Sequence, residues 1–151
     1  MEQPTTDSST LSQPDRTIDI FVDGACPGNP GPIGIGIVAY DLGVEVWTAS
    51  EYHGAGTNNE AELLAIIRAM EMCDPTVQPI IYTDSAYCVG QIEKGYKTTA
   101  NKELVARARV LKASTSAVVY KVDGHAGNVG NERANKLAQA AASAGGGNNL
   151  Y

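Results

Sequence analysis

The sequence has few cysteines, no long apolar run and no excess of basic residues, and each shortage excludes a class of protein. Its 151 residues include three cysteines and no Cys-x-x-Cys pair, which excludes a disulfide framework and gives no sign of a zinc site. No apolar stretch approaches the roughly 20 residues that span a bilayer. The N-terminal residues have neither a cationic start nor an apolar stretch, so we expect no secretory signal and a cytoplasmic location.

The shortage of positive charge is less simple, because the charges are unevenly distributed. The formal net charge is −6 at pH 7, whereas proteins that bind nucleic acids usually carry a basic surface. Residues 94–112 nevertheless hold six of the eleven basic residues of the chain and one acidic residue. The composition therefore permits a nucleic-acid partner, with modest phosphate-driven affinity and a modest dependence on salt.

The hydrophobic pattern predicts a single α/β domain over residues 17–143, flanked by two tails. Residues 1–16 are rich in Ser, Thr, Gln and Pro, and we expect them to be disordered. Residues 144–151 contain a run of glycines and are expected to be flexible. The chain shows no internal repeat, which favours one ordinary globular domain.

Within this domain, the spacing of apolar residues changes from the two-residue repeat of strands to a helical repeat at residue 58. Strands are expected at residues 17–23, 33–41, 44–52, 78–84 and 116–122. Helices are expected at residues 58–73, 85–95, around 104–111 and 131–142. This order predicts a mixed five-stranded sheet, antiparallel over its first three strands and then parallel, with helices on both faces. Gly34 and Gly36 predict the close approach of another backbone to the second strand.

Three acidic residues stand out by their positions in these elements. Asp23 and Asp84 end strands from separate parts of the chain, and Glu62 lies in the first turns of the first long helix. The first and fourth strands are plausible neighbours in a sheet with crossovers, so the three carboxylates can converge at one edge. Converging acids repel one another, and a divalent cation relieves that repulsion; oxygen ligands favour Mg²⁺ or Mn²⁺ over zinc. Taken singly, each acid has the alternative of being a solvated turn or helix-start residue.

Four segments around these acids carry a resemblance to a known family. They are DGACPGNPG at 23–31, TNNEAEL at 57–63, TDSAY at 83–87 and GHAGNVGNERANKLA at 124–138. In their order and approximate spacing they resemble the four signature blocks of type 1 ribonucleases H, and the similarity extends from about residue 17 to residue 142. The resemblance implies the ribonuclease H-like fold. It also implies an endonuclease that hydrolyses the RNA strand of RNA–DNA hybrids and leaves 5′-phosphate and 3′-hydroxyl ends.

The resemblance further implies a metal centre. Two divalent cations, Mg²⁺ with Mn²⁺ as a substitute, would lie on either side of the scissile phosphate, one activating a water and the other stabilising the leaving oxygen. Their ligands, which are also catalytic residues, would be Asp23, Glu62, Asp84 and Asn135. His125, in the loop before the last helix, would assist proton transfer or product release; the alternative is a structural loop histidine.

Residues that would recognise the RNA strand follow from the same resemblance. An RNA strand is distinguished by its 2′-hydroxyl groups, which are displayed in the wide minor groove. The residues expected near those hydroxyls are Gly24, Cys26, Asn29, Asn58 and Glu62. Asn59 would reach base edges in the minor groove or the DNA side.

On the DNA strand, Thr57 and Asn101 match a pair of residues that grips a phosphate, and Tyr96 matches an aromatic residue of the DNA-binding channel. Thr57 and Asn101 also stand where helix N-caps are expected, and that role is compatible with phosphate binding because helix N-termini attract anions. Glu60, two residues before the motif's metal ligand Glu62, is expected to face the solvent or the substrate.

Three positions depart from the family pattern. Asn135 stands where the family has a fourth carboxylate, so the metal on that side should bind more weakly, whether the residue is natural or an engineered inactivating substitution. The segment between Gly95 and Asn101 is too short for the basic helix that bacterial members often insert, which predicts weaker affinity for the hybrid, partly offset by nearby lysines. Ala86 replaces a frequent glutamine, which puts one minor-groove contact in doubt.

The principal alternative is a hybrid-binding member of the same fold whose catalysis is weakened or lost through Asn135. A nuclease or integrase of the same fold that acts on duplex DNA, and a carboxylate–metal phosphatase, are disfavoured, because neither needs the segments at 23–31 and 57–63. We expect the partner to be an RNA–DNA hybrid, with no membrane association and no required protein partner. The domain is expected to be a monomer.

Overall fold

A computed structural model of the protein describes residues 16–124 and 127–147. In chain order its elements are β1 (Arg16–Ala25), β2 (Gly31–Asp41), β3 (Val44–Gly56), α1 (Asn58–Met72), β4 (Val77–Thr83), α2 (Ala86–Ile92), α3 (Lys102–Thr115), β5 (Val118–Lys121) and α4 (Val129–Gly147). The two expected tails lie outside the described residues, except for Arg16 and residues 144–147. In the part of the chain that is described, no helix is long and apolar enough to cross a membrane.

The strands form a mixed five-stranded sheet in the order β3-β2-β1-β4-β5. β1 and β3 run antiparallel to β2, whereas β4 runs parallel to both β1 and β5. The predicted architecture is therefore confirmed, including the neighbouring first and fourth strands. Phe21 of β1 lies opposite Tyr82 of β4. Because side chains two residues apart share a sheet face, Asp23 and Asp84 emerge beside each other at the same end of the sheet.

One face of the sheet is covered by α1, which packs on β1, β2 and β4, and α3 packs on α1. The helical spacing that predicted α1 also predicts its buried side: Leu63, Ile66, Ile67 and Met70 are each at most 2% exposed. They meet the inward-facing residues of β1, β2 and β4 in one hydrophobic core. This packing fixes the position of α1 on the sheet, and with it the position of its first turn.

The other face is covered by α4, which packs closely on β2. A Cβ atom on Gly34 would lie 2.2 Å from the carbonyl oxygen of Ala138, and one on Gly36 would lie 2.0 Å from that of Ala134. The predicted close approach to these two glycines is thus confirmed, and the approaching backbone is that of α4. Side chains on β2 would push the helix away from the sheet.

Several elements are longer than the sequence pattern predicts. β1 continues to Ala25 because Gly24 and Ala25 still pair with β2, and β3 continues to Gly56, which pairs with Gly31. α4 was expected at residues 131–142, but it extends from Val129 to Gly147. Its last turns pack on β3, where a Cβ atom on Gly145 would lie 2.0 Å from the ring of Tyr52. Tertiary packing therefore extends the helix into a glycine run that, alone, disfavours helix.

We predict that Gly36→Ala destabilises the protein by about 3 kcal/mol, because the added methyl group forces α4 away from β2. Urea unfolding, followed by circular dichroism, measures the loss. The matched control is Gly43→Ala in the β2–β3 turn, where φ is +82° and no atom lies within 4 Å of an added Cβ. Only backbone strain of about 1 kcal/mol is expected there. Equal losses for the two variants would contradict the close approach of α4.

Candidate active site

Three carboxylates converge at the end of the sheet where β1 and β4 terminate. Asp23 lies near the end of β1, Asp84 directly follows β4, and Glu62 projects from the first turns of α1. One oxygen from each carboxylate lies within 4.8 Å of the other two. Asp23 is 3% exposed, whereas Glu62 and Asp84 are half-buried, so the cluster lies at the boundary between the core and the solvent. The structure thus brings together the three acids that the sequence singled out.

Glu62 reaches the cluster because α1 approaches the end of β1 unusually closely at Gly24. A Cβ atom on Gly24 would lie 2.4 Å from the carbonyl carbon of Ala61, which no side chain can tolerate. The backbone N–H of Gly24 also donates a hydrogen bond to Glu62 Oε1 at 2.9 Å. The closest contacts of Gly24 are with α1, and its N–H orients Glu62. That Gly24 lies near substrate hydroxyls stays a prediction.

The first turn of α1 is fixed by a capping box. The side chain of Thr57 accepts a hydrogen bond from the backbone N–H of Glu60 at 3.3 Å, and Glu60 Oε1 accepts one from the backbone N–H of Thr57 at 2.8 Å. The prediction of Thr57 as an N-cap is confirmed. Glu60 uses its carboxylate to close the helix start, where the sequence had indicated a solvent- or substrate-facing role.

Burial and mutual repulsion favour protonation of the clustered carboxyls. The pKa of Asp23 is raised from 3.8 to about 6, mainly by burial; a hydrogen bond from Asn135 opposes this rise and the charge of Asp84 adds to it. The pKa of Glu62 is raised from 4.5 to about 9, first by burial and then by the charges of Asp23 and Asp84. Among the described residues, none of the ion pairs involves these three acids. Converging oxygen ligands without a basic partner fit a divalent cation.

Asn135 lies beside this cluster, on α4. Its Nδ2 donates a hydrogen bond to Asp23 Oδ2 at 2.6 Å, so its amide reaches the cluster from the opposite layer of the fold from Glu62. The amide oxygen of Asn135 is neutral, yet it belongs to the oxygen ligands that Mg²⁺ and Ca²⁺ accept in proteins. The position predicted for a fourth ligand is therefore within contact distance of the cluster.

The loop between β1 and β2 borders the cluster and is anchored from two sides. Cys26 is 7% exposed, and its Sγ donates to the carbonyl oxygen of Gly56 at 3.1 Å. Asn29 Oδ1 accepts a hydrogen bond from the backbone N–H of Asn58 at 2.9 Å. Because the thiol of Cys26 points inward, only the backbone of this residue is well placed to meet a ligand. The loop forms one wall of a groove of about 490 Å³.

A second groove of about 480 Å³ brings together most of the residues predicted to contact the DNA strand and the minor groove. It is lined by Asn29, Thr57, Asn58, Asn59, Ala100 and Asn101. Asn101 precedes α3 in a left-handed conformation (φ 56°, ψ 36°) and makes no side-chain capping bond. Its Nδ2 donates to the hydroxyl of Tyr87 at 3.1 Å. Asn101 is the N-cap residue of α3, as predicted, but its side chain is held by Tyr87 and caps no backbone N–H.

Tyr96 lies beyond this groove, in the segment before α3. The residue is 56% exposed, and its ring packs over Gly90, where a Cβ atom would lie 2.6 Å from the ring. Lys94 Nζ lies 5.9 Å from the ring centroid, and Arg109 donates to the carbonyl oxygen of Tyr96 at 3.0 Å. An exposed aromatic face beside a lysine can stack on a nucleotide.

Half of the basic residues at 94–112 are engaged in contacts with other parts of the protein. Arg107 pairs with Glu71 of α1. Arg109 donates to backbone carbonyl oxygens in the α2–α3 region, and Lys112 donates to that of Ala117 at 3.0 Å. The exposed lysines of the stretch are Lys94, Lys97 and Lys102. The positive surface available to a phosphate backbone is therefore smaller than the sequence suggests.

His125, predicted to assist proton transfer or product release, lies outside the described residues. Gln139, which the sequence analysis did not single out, lines both grooves that flank Asn135. Its position four residues after Asn135 on the predicted helix is the signal that could have identified it.

Comparison with known proteins identifies the family. The RNase H family model matches residues 15–143. The chain is 42% identical over 139 residues to Ribonuclease H of Aromatoleum aromaticum, covering 81% of this chain and 88% of the relative. It is 39% identical over 135 residues to Ribonuclease H of Cyanothece sp., covering 80% and 86%. The crystal structure of LC11-RNase H1 in complex with an RNA/DNA hybrid matches with a TM-score of 0.73 and 31% identity, over 85% of this chain and 99% of that one. The chain belongs to the RNase H family.

We predict that the metal-free protein loses stability as the pH rises from about 4 to about 9. The pKa values of Asp23 (about 6) and Glu62 (about 9) in the folded state lie above their ordinary values of 3.8 and 4.5. The folded state therefore binds more protons than the unfolded state in this window, and its stability falls as those protons are lost. Added Mg²⁺ or Mn²⁺ should raise Tm, and raise it more at pH 9 than at pH 5, because the cation competes with protons.

Thermal unfolding at several pH values, with chelator or with cation, tests this expectation. Glu62→Gln is the control: it removes the group with the higher pKa and should reduce both the pH dependence and the metal-induced rise in Tm. A metal-induced rise in Tm that is the same at pH 5 and pH 9 would contradict the assignment of the cation to these carboxylates.

Proposed function

We propose that this protein is an endonuclease that hydrolyses the RNA strand of RNA–DNA hybrids and leaves 5′-phosphate and 3′-hydroxyl ends. The observation that carries the proposal is the convergence of Asp23, Glu62 and Asp84 within 4.8 Å, in a chain that belongs to the RNase H family. The structurally similar LC11-RNase H1 is described in complex with an RNA/DNA hybrid, which supports the same class of substrate here.

The catalytic residues of this proposal are the three carboxylates with Asn135 and His125. The carboxylates and the Asn135 amide oxygen would hold two Mg²⁺ ions, for which Mn²⁺ can substitute. When bound, such ions neutralise the charge of the scissile phosphate and lower the pKa of a water nucleophile. The N–H of Gly24 holds Glu62 in place for this role. His125 would transfer a proton or assist product release from the loop before α4.

In this proposal, the RNA strand and the DNA strand of the hybrid are recognised in different grooves. Next to the carboxylates, Gly24 at the end of β1 and Cys26 and Asn29 in the following loop would meet the 2′-hydroxyls of the RNA, together with Asn58 and Glu62. In the adjacent groove, Thr57 and Asn101 would hold a phosphate of the DNA strand, with Asn59 at the minor-groove base edges. Tyr96 would stack on a sugar of the DNA strand further along. The support for this division is the order of the grooves away from the carboxylates.

We propose that the protein works as a monomer in the cytoplasm, without a required protein partner. Its three cysteines are free, although the thiols of Cys26 and Cys88 are buried and Cys73 is half-buried. Free thiols are typical of reducing compartments.

A hybrid with one labelled strand tests the reaction. We expect cleavage of the RNA strand in Mg²⁺ and no cleavage of duplex DNA of the same sequence. Asp23→Asn should lower the rate by at least about 100-fold, since removing a single electrostatic contact to a reacting group already costs about 100- to 1,000-fold. Binding of the hybrid should persist in this variant, because Asp23 is acidic and repels the substrate.

The matched control is Asp19→Asn, on the same strand and face of β1. Asp19 accepts a hydrogen bond from the hydroxyl of Tyr82 at 3.0 Å and lies four residues before Asp23. This variant should cleave at nearly the rate of the unmodified protein. Cleavage of duplex DNA as fast as of hybrid, or an undiminished rate in Asp23→Asn, would overturn the proposed reaction.

Asn135 also supports a second candidate, a hybrid-binding protein with weakened catalysis. Asn135→Asp adds a fourth negative charge to the ligand set, so we expect about tenfold less Mg²⁺ for half-maximal cleavage, because ligand charge tunes cation affinity. A titration of cleavage rate against Mg²⁺ and Mn²⁺ measures this. Binding without cleavage by the unmodified protein, with cleavage restored in Asn135→Asp, would favour the second candidate. Identical titrations for both proteins would exclude Asn135 as a ligand.

A further inference from the structure

A row of neutral polar side chains follows one edge of α4 on both sides of Asn135. Asn131, Asn135, Gln139 and Ser143 succeed one another every four residues, a spacing that places them along the same side of the helix. Asn131 is buried, whereas Gln139 and Ser143 are exposed. The row therefore continues outward from the carboxylate cluster by two helical turns.

The direction of this row is fixed by the packing of α4 on the sheet. Ala138, directly before Gln139, presses its backbone against Gly34 of β2, and Ala134 does the same against Gly36. Ala134 and Ala138 are fully buried. Rotation of α4 about its axis would break these contacts, so the backbone of Gln139 is held beside the site.

Gln139 stands between two grooves that meet at Asn135. The groove of about 490 Å³ (the loop-side groove) lies between residues 24–27, at the end of β1 and the start of the β1–β2 loop, Asn58 and the α4 side chains Asn135, Gln139 and Ser143. A smaller groove of about 270 Å³ lies on the other side of the row, against Asp84 and Gly124. A nucleic-acid strand that presents a phosphate to the carboxylates and continues towards the β1–β2 loop therefore passes Gln139.

The two grooves differ in charge. The described residues that line the loop-side groove are all uncharged, and its polar side chains are amides and a hydroxyl. The smaller groove contains Asp84, Glu132 and Lys136. A phosphate is bound best by basic groups, whereas a sugar hydroxyl both donates and accepts, as an amide does. The loop-side groove is therefore suited to a sugar edge.

We propose that Gln139 is a specificity-determining residue that hydrogen-bonds a 2′-hydroxyl of the RNA strand in the loop-side groove, next to the scissile phosphate. This inference rests on the proposed function, because it assigns one sugar contact within that substrate. It adds α4 to the elements that distinguish RNA from DNA, opposite the β1–β2 loop. Ser143, one turn further on, lines the far end of the same groove.

A double-mutant cycle between protein and substrate tests the contact. The substrates are hybrids of one sequence whose RNA strand carries a single 2′-deoxy nucleotide at each successive position around the main cleavage site. The variants are Gln139→Ala and the double substitution Gln139→Ala with Ala140→Gln, which moves the amide to the adjacent exposed position. The readouts are kcat and KM for cleavage in Mg²⁺, and the hybrid Kd in an Asp23→Asn background by fluorescence anisotropy.

We expect Gln139→Ala to weaken hybrid binding and kcat/KM about fivefold, the usual effect of one neutral hydrogen bond. At one position, the 2′-deoxy nucleotide should lower kcat/KM and hybrid affinity of the unmodified protein by the same factor. In Gln139→Ala, the 2′-deoxy nucleotide at that position should cause no further loss. The double substitution should behave like Gln139→Ala. Circular dichroism melting curves should be unchanged, since Gln139 is exposed.

Three results would overturn the inference. The first is an unaltered hybrid Kd in Gln139→Ala, and the second is full recovery of hybrid binding in the double substitution. The third is a loss from the 2′-deoxy nucleotide that is as large in Gln139→Ala as in the unmodified protein at every position. If the unmodified protein cleaves and binds the hybrid while any of these results is obtained, the inference alone fails. If the unmodified protein neither binds nor cleaves any hybrid, the proposed function fails and the inference fails with it.

Discussion

The site depends on one close contact, that between the backbone of α1 and Gly24 at the end of β1. When both are ionised, Asp23 and Glu62 repel each other, and burial makes the repulsion stronger than it would be in water. What holds them together is the packing of α1 on the core, which brings Ala61 against Gly24, and the bond from Gly24 N–H to Glu62. The free energy gained by packing the hydrophobic core thus offsets the electrostatic repulsion at the end of β1 and β4.

The two helical layers of the fold meet at this same end of the sheet. Glu62 comes from α1 on one face of the sheet, and Asn135 comes from α4 on the other. Each layer is set by glycines: Gly24 admits α1, whereas Gly34 and Gly36 admit α4. A shift of either helix by the width of a methyl group would separate the polar groups that now converge. The relative positions of the clustered polar groups therefore depend on the backbone packing of α1 and α4 against the glycines of β1 and β2.

The succession of strands and helices along the chain, the core side of α1 and the three acids were predictable, because apolar spacing and strand ends depend on local sequence. Other features depend on residues far away in the chain. Asn101 has the residue type of an N-cap, but Tyr87 takes its side chain. Arg107 contributes to a basic stretch in the sequence, yet Glu71 neutralises it across 36 residues. The length of α4 likewise depends on Tyr52, which packs where Gly145 has no side chain.

In the proposed metal centre, Asn135 would change the balance between the metal-free and the metal-loaded protein. Its N–H group bonds Asp23 and opposes the rise in the pKa of that carboxyl, so Asp23 is ionised more readily without a cation. A carboxylate at position 135 would instead raise the pKa of Asp23 further and add to the repulsion within the cluster. It would also attract a divalent cation more strongly, because each added charge favours the ion. In the proposed metal centre, asparagine would therefore favour a stable empty site over a tightly bound metal, and it would raise the cation concentration needed for cleavage.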